Sequence, residues 1–497
     1  MQLWPILLRV VNVQNVSVFA TGIYVGNSKP NSIDEFLNEF IEEVSDLQTN
    51  GFEFVCDAPA KAFLCGIPGH TSRHGCAKCN QVGRKKDGVL TYSTKAGVTV
   101  SNRDFLDRKY PNKHLSLFKE NLSPLEKINI NMISQDPLDV MHLIDLGDMR
   151  KFILRVINNK SNYKFKKETK LYLSKKIVAL SSYITREFVR KPRTVDEIAN
   201  WKAIEFRMFL FYYGIYVLKD ELPGDVYYEF LLLHCACRLL FCPKNYNSNI
   251  DVAGNMLKLF VENFAVVFGE NSISYNVHSL LHISEDVKEL GIPSSYSAYS
   301  FENHLQILKS YVKKPTQILQ QIHNMMKHEE IVVAPKFTGF KIKNNIIVSF
   351  NFKEFLLSNK SPNSYCSVKP FQYIRIEEFK DINSKVIKGN RFLHLESYFA
   401  EPIDSYTMGI CTADHILSSD IEEFSLDDVE YKLMCIPLLE KVLLIPMLHT
   451  CMLPSFIVIV NFLSFFLWKQ LLIFLFFLSI SKNMEQQIPK RRPQQFQ

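Results

Sequence analysis

Cys76 and Cys79 close the stretch FVCDAPAKAFLCGIPGHTSRHGCAKC, which begins at Phe54. Two thiols about one turn apart on a tight loop can chelate zinc or act as a redox pair. A redox pair wants a strand-to-helix junction, whereas GHTSRHGCAKCNQVG reads as a knuckle. Zinc needs two further ligands. Cys65, His70 and His74 are close in sequence, and LDVMH supplies Asp139 and His142 with two residues between them. His278 and His282, in NVHSLLH, are four apart and face the same way; such a pair binds a metal or packs and hydrogen-bonds, and packing is the reading preferred. Asp57 follows a short strand, from which a carboxylate can reach a two-metal site, or it caps the turn of DAPA. Glu302 falls in the first turn of a helix that Ser300 can cap, where the helix dipole alone favours it.

These residues depend on the elements that carry them. Leu3 to Val11 and Val16 to Val25 are rich in Val, Ile and Leu and read as two strands. IDEFLNEFIEEVSDL then repeats apolar residues at helical spacing behind Ser32 or Asn31 as cap. FEFVC is a short strand ending at Asp57. The order is strand, strand, helix, strand, aspartate. The stretch from Gly69 to Asn112, with GRKKDG, reads as a surface loop organised by something local. From Leu143 to Leu240 the pattern is mainly helical, in segments such as KAIEFRMFLFYYGIYVL and VYYEFLLLHCACRLLF. Beyond Lys336, GFKIKNNIIVSFNF and QYIRIEEF read as strands of a small β-rich domain over 337–450.

The chain has 497 residues, nearly half of them apolar and 38 of them Phe, so a large core is available and global disorder is excluded. A formal charge of +7 permits a polyanionic partner without demanding one. Eleven cysteines are too sparse for a secreted disulfide scaffold, which points to a reducing compartment. The start, MQLWPILLRVVNV, lacks a basic n-region and is not a signal peptide. The run over 455–480, SFIVIVNFLSFFLWKQLLIFLFFLSI, is long enough for one bilayer crossing, with a basic tail over 481–497 on the cytoplasmic side.

Several motifs in fixed order carry a resemblance: the aspartate and CxxC, then PLDVMHLIDLG, RKPRTVDEIANWKAIEFRMFLFYYGIYVL, YNVHSLLH and SAYSFENHLQILKSYVKKP. Together they resemble transposase-derived proteins of the CACTA (EnSpm) group of the animal and insect type, over roughly residues 3 to 330. The resemblance implies an RNase H-like DDE core in which two Asp and a Glu bind Mg²⁺. Asp57 matches the second Asp, Glu302 the final Glu, and Asp139 with His142 the Asp-x-x-His signature. Cys76 and Cys79 match a CxxC implied to bind zinc.

The first catalytic Asp and its strand are missing, since the chain opens on a segment resembling the second strand. The expected fold is therefore α/β: a partial RNase H-like core over 1–330 with a helical insertion over 143–290, then the β-rich region and the hydrophobic segment. A catalytically inactive transposon-derived protein is expected, with DNA as partner through Arg84 to Lys86 and the lysines near Lys160. The alternatives are a membrane-anchored interaction protein, or an active transposase if the gene product is incomplete. Location is expected at a membrane, with the nucleus as the alternative.

Overall fold

A computed structural model of the protein describes residues 2–10, 17–45, 52–128, 130–157, 165–327, 338–352, 354–370, 372–448 and 458–461. Among them the strands are β1 (Gln2–Val10), β2 (Phe19–Gly26), β3 (Phe52–Phe54), β4 (Arg84–Lys86), β5 (Val89–Thr91), β6 (Gly339–Lys343), β7 (Ile346–Asn351), β8 (Leu356–Ser358), β9 (Tyr365–Val368), β10 (Gln372–Phe379), β11 (Val386–Arg391), β12 (Glu396–Ser397), β13 (Cys411–Asp414), β14 (Glu422–Ser425), β15 (Val429–Pro437), β16 (Lys441–Pro446) and β17 (Val458–Asn461). The chain divides into two compact units. One comprises Met1–Phe52, Ser300–Val333 and Phe456–Gln497, the other Glu53–Tyr299 and Ala334–Ser455.

In the first unit β1 pairs antiparallel with β2 from Gln2↔Gly26 to Leu8↔Phe19. The helix Ile33–Ser45 follows, with the Ser32 hydroxyl accepting from the Glu35 amide at 3.2 Å and Asp34 and Glu35 in its first turn. It buries Ile33, Phe36, Leu37, Phe40 and Ile41, one stripe at helical spacing. The sheet order is β2-β1-β17-β3, and β17 pairs antiparallel with β1 from Leu7↔Asn461 to Val10↔Val458.

This arrangement corrects the expected fold class. The strand, strand, helix, strand order is present, but among the described residues no closed RNase H-type sheet forms; an open sheet takes the strand beside β1 from far along the sequence. The expected transmembrane segment is corrected by the same strand. Four residues of the 455–480 run lie in a β-sheet, so the run is not one continuous helix, and no helix of the described residues is long and apolar enough to cross a membrane. The rest of that run and the 481–497 tail lie outside the described residues. Membrane partnership and membrane location thus lose their basis.

The second unit is built on two long helices, Gly224–Leu240 and Tyr246–Phe268, which bury Phe230, Leu232, Phe260 and Phe264 completely. The apolar mid-region therefore reads correctly as core helices. Two stretches, Met141–Met149 and Phe209–Tyr213, are wound as π-helix. An eight-stranded sheet, ordered β12-β13-β16-β15-β9-β10-β11-β14, packs on this body. Its adjacent strands β16 and β15 are buried on both faces. Leu443 and Ile445 of β16 join the helical core with Met434 and Ile436 of β15, while Val442, Leu444, Leu433 and Cys435 alternate into a second cluster with Tyr373 and Phe392. Arg238, 1 % exposed, ties helix to sheet by donating to the carbonyls of Phe211 (2.9 Å) and Pro446 (3.1 Å).

Within the expected surface loop, DG at Asp87–Gly88 turns β4 into β5; both residues have positive φ, as a two-residue hairpin loop requires. Lys86 of β4 pairs with Glu270 at 2.5 Å. The basic run is thus part of an ordered hairpin, and part of the stretch near Lys160 lies outside the described residues. The fold implies no DNA partner, which corrects that expectation.

Candidate metal centre

The hairpin anchors the knuckle to the chain that precedes His278. The Tyr92 amide donates to the Ile273 carbonyl at 2.8 Å, and the Thr91 hydroxyl donates to the Glu270 carbonyl at 2.8 Å. Gly75 sits where a Cβ would come 2.7 Å from the Gly69 carbonyl and 3.0 Å from the Tyr92 hydroxyl, so the turn into Cys76 closes only around glycine. Cys79 then forms a β-bridge with Thr99. Both thiols are held inward, Cys76 at 1 % and Cys79 at 0 % exposure.

Opposite them, Ser274 caps the short helix Tyr275–Ser279, its hydroxyl accepting from the Val277 amide. The helix runs through Leu280–His282 into Ile283–Leu290, so His278 and His282 share one face. Both are buried. The Sγ atoms of Cys76 and Cys79 are 3.6 Å apart, Cys76 Sγ is 3.5 Å from His282 Nε2, and Cys79 Sγ is 3.4 Å from His278 Nε2. All four ligand atoms lie within 4.8 Å of one another. A tetrahedral zinc with its usual Zn–S and Zn–N bonds has edges of about 3.8 Å between sulfurs and about 3.5 Å between sulfur and nitrogen. The cluster therefore has the geometry to hold one metal ion.

The surroundings orient the ligands. His278 donates Nδ1–H to the Ser93 carbonyl at 2.9 Å, which leaves Nε2 as the lone-pair nitrogen facing the sulfurs. Tyr92 stacks on the same imidazole, with ring centroids 5.3 Å apart. The hydrogen bond from the Cys79 thiol, with the Lys113 ammonium nearby, pulls the Cys76 thiol down to about 6, despite burial. That favours the thiolate, the form that binds metal. Lys113 Nζ donates to the Cys76 carbonyl at 2.6 Å. Lys78, between the cysteines and buried, donates to Asp286 Oδ1 at 2.6 Å, while Asp286 Oδ2 accepts the Leu138 amide. The knuckle is thereby tied to the helix that follows His282.

The other candidate residues lie elsewhere. Asp139 accepts from His142 Nδ1, from the His142 amide at 3.1 Å and from the Ala298 amide at 2.8 Å, so it organises the chain at the start of the Met141–Met149 stretch. Neither Asp139 nor His142 is in the four-residue cluster. Cys65 donates to Asp136 Oδ2 at 3.4 Å. Asp57 caps the helix Ala58–Leu64, its Oδ1 accepting the Ala60 amide at 2.7 Å. Glu302 lies in the first turn of Tyr299–Tyr311 and belongs to the first unit, Asp57 to the second. Among the described residues neither carboxylate joins a group of three or more metal-capable side chains, so a Mg²⁺ site finds no support. His278 and His282 complete the metal-capable cluster, which the packing reading did not include; their four-residue spacing was the available signal.

Comparison with known proteins adds one match. Residues 324–447 match a family model described as a domain of unknown function (DUF8592). The matched span covers β6 to β16 and takes in none of the four metal-capable residues. No curated protein matches the chain.

Proposed function

We propose that Cys76, Cys79, His278 and His282 hold one zinc ion in a closed structural site, and that the chain is a transposase-derived protein without strand-cleaving activity. The observation that carries the first part is the mutual spacing of 3.4–3.6 Å between both sulfurs and between each sulfur and one imidazole. Interleaved distances this short fit a single ion; an Fe₂S₂ cluster with Cys on one iron and His on the other separates the two ligand types. Four buried protein ligands leave no open position for water or substrate, which is the mark of a structural site. Thiolate with imidazole also selects zinc over hard cations.

Protein prepared without added metal is expected to contain about one zinc per chain by elemental analysis. Cys76→Ser/Cys79→Ser and His278→Ala/His282→Ala should both lose it, whereas Asp139→Asn should keep it. Unchanged zinc in either double variant overturns the site.

The ancestry rests on the order of motifs from Asp57 to Glu302, and the inactivity on what the two carboxylates do. Asp57 is committed to a helix cap, and among the described residues neither it nor Glu302 joins the second and third carboxylates that a two-metal clamp on attacking and leaving oxygens needs. Linear and nicked DNA incubated with Mg²⁺ or Mn²⁺ should remain uncut. Cleavage that Asp57→Ala abolishes would overturn this reading.

A further inference from the structure

The apolar run near the C-terminus has one described piece, and it lies in an unusual place. β17 enters the first unit's sheet between β1 and β3, although more than four hundred residues separate it from either. β1 is a central strand by its burial: Ile6 is 1 %, Leu7 3 % and Leu8 8 % exposed. β2 covers one side of it from Gln2 to Leu8, and the other side, Leu7 to Val10, is covered by β17. A strand with both neighbours spends its backbone N–H and C=O groups internally; with one neighbour it presents a row of unpaired groups and an exposed edge.

We propose that Val458–Asn461 is a built-in β-strand complement, docked in cis on the Leu7–Val10 edge of β1, and that this edge is an acceptor surface for an extended apolar segment. The composition fits that occupant. Ser455 to Leu463 reads SFIVIVNFL, a short β-branched run of the kind found in strands buried within a sheet. Main-chain pairing supplies the attachment, as in other cases of strand addition. The long intervening chain is no obstacle, because loop-closure entropy rises only with the logarithm of loop length. The apolar character of this part of the tail then has an intramolecular cause.

Opposed residues of an antiparallel pair have Cα atoms about 4.5–5.5 Å apart, within disulfide reach. Leu8 and Val460 are such a pair. In the full chain carrying Leu8→Cys and Val460→Cys, mild oxidation should join the peptides holding positions 8 and 460 within one monomer, as peptide mapping by mass spectrometry would read. A bond found only between chains would show that a second copy supplies the strand and would overturn the cis complement; so would no bond between these positions. Should that variant not fold, amide exchange answers the same question. Ile459→Pro removes a ladder donor from β17. Protection of the Leu7 to Val10 amides should fall at least tenfold relative to the parent chain while that of the Gly224–Leu240 helix is kept. Equal protection of β1 in both chains overturns the proposal.

Discussion

Removing the metal is expected to unfold the knuckle over residues 66–100 and to lower the unfolding midpoint sharply, while the Gly224–Leu240 and Tyr246–Phe268 pair stays helical. A structural zinc of this ligand class contributes apparent binding energy of about 10–16 kcal/mol, comparable to the whole stability of an ordinary domain. The segment it holds has little else. Its regular structure is a three-residue hairpin pair, and much of its remaining attachment runs through buried charges, Lys78 to Asp286 and Lys113 to the Cys76 carbonyl. The helical core, in contrast, is lined by fully buried Phe209, Phe230, Phe260 and Phe264, the last three carried on long helices. Exchange of the 66–100 amides should therefore rise by orders of magnitude on stripping with a strong chelator, and re-adding zinc should reverse it. His278→Ala/His282→Ala should copy the stripped state. Verified loss of metal with no change in exchange or midpoint would overturn the assignment.

The part of this site that the sequence displays is the part that is local. Cys76 and Cys79 announce themselves because only two residues separate them, and the loop between Gly69 and Asn112 looks in need of an organiser. The two histidines of the cluster are 199 and 206 residues further along. A lone pair of histidines at helical spacing is compatible with packing as well as with ligation; the sequence does not show the hairpin's bonds to Glu270 and Ile273, which bring the thiols beside them. Asp139 and His142 show the opposite hazard. Their spacing suits a ligand pair, yet Asp139 bonds to His142 and to the backbone amides of His142 and the distant Ala298, and a carboxylate accepting several N–H bonds has little capacity left. The long helices were legible from apolar periodicity because they form the core themselves. β17 was not, because an apolar run carries no mark of whether lipid or a neighbouring strand removes it from water.

Glu187→Ala is expected to destabilise the protein by about 3–5 kcal/mol, although the residue is remote from the metal. It is one side of a buried ion pair that joins β15 to the segment following Tyr183. Lys432 has no exposed side-chain surface, and its ammonium donates to Glu187 Oε1 and Oε2 at 2.9 and 2.8 Å, to the Leu356 carbonyl at 2.7 Å and to Asn363 Oδ1 at 2.5 Å. Burial pushes that ammonium down to about 8, more than the attraction of Glu187 lifts it. Burial also pushes Glu187 up, but Lys432 and the hydrogen bonds together hold its carboxyl below the usual range. The pair is therefore ionised at pH 7, and deleting the carboxylate leaves a charge in the core with no counter-ion. Deleting both charges is a milder change: Lys432→Met with Glu187→Gln keeps an acceptor for the Leu356 amide, which Glu187 Oε1 now serves at 3.0 Å, and should recover most of the loss. The pH dependence follows from the lysine. Its folded value lies below that of the unfolded chain, about 10.4, so the unfolded state binds the extra proton between about pH 8 and that value. The parent chain should consequently gain stability relative to Lys432→Met as pH rises through this window. Glu187 acts at the other end: its contribution is present above the unfolded carboxyl range and is lost as pH falls through its lowered folded value. Urea midpoints of the three variants at pH 7 and 9.5 test the first statement and midpoints in the acid range, below the usual carboxyl value of about 4.3, the second; a Glu187→Ala midpoint equal to the parent's at pH 7 would show that water or another acceptor already serves Lys432.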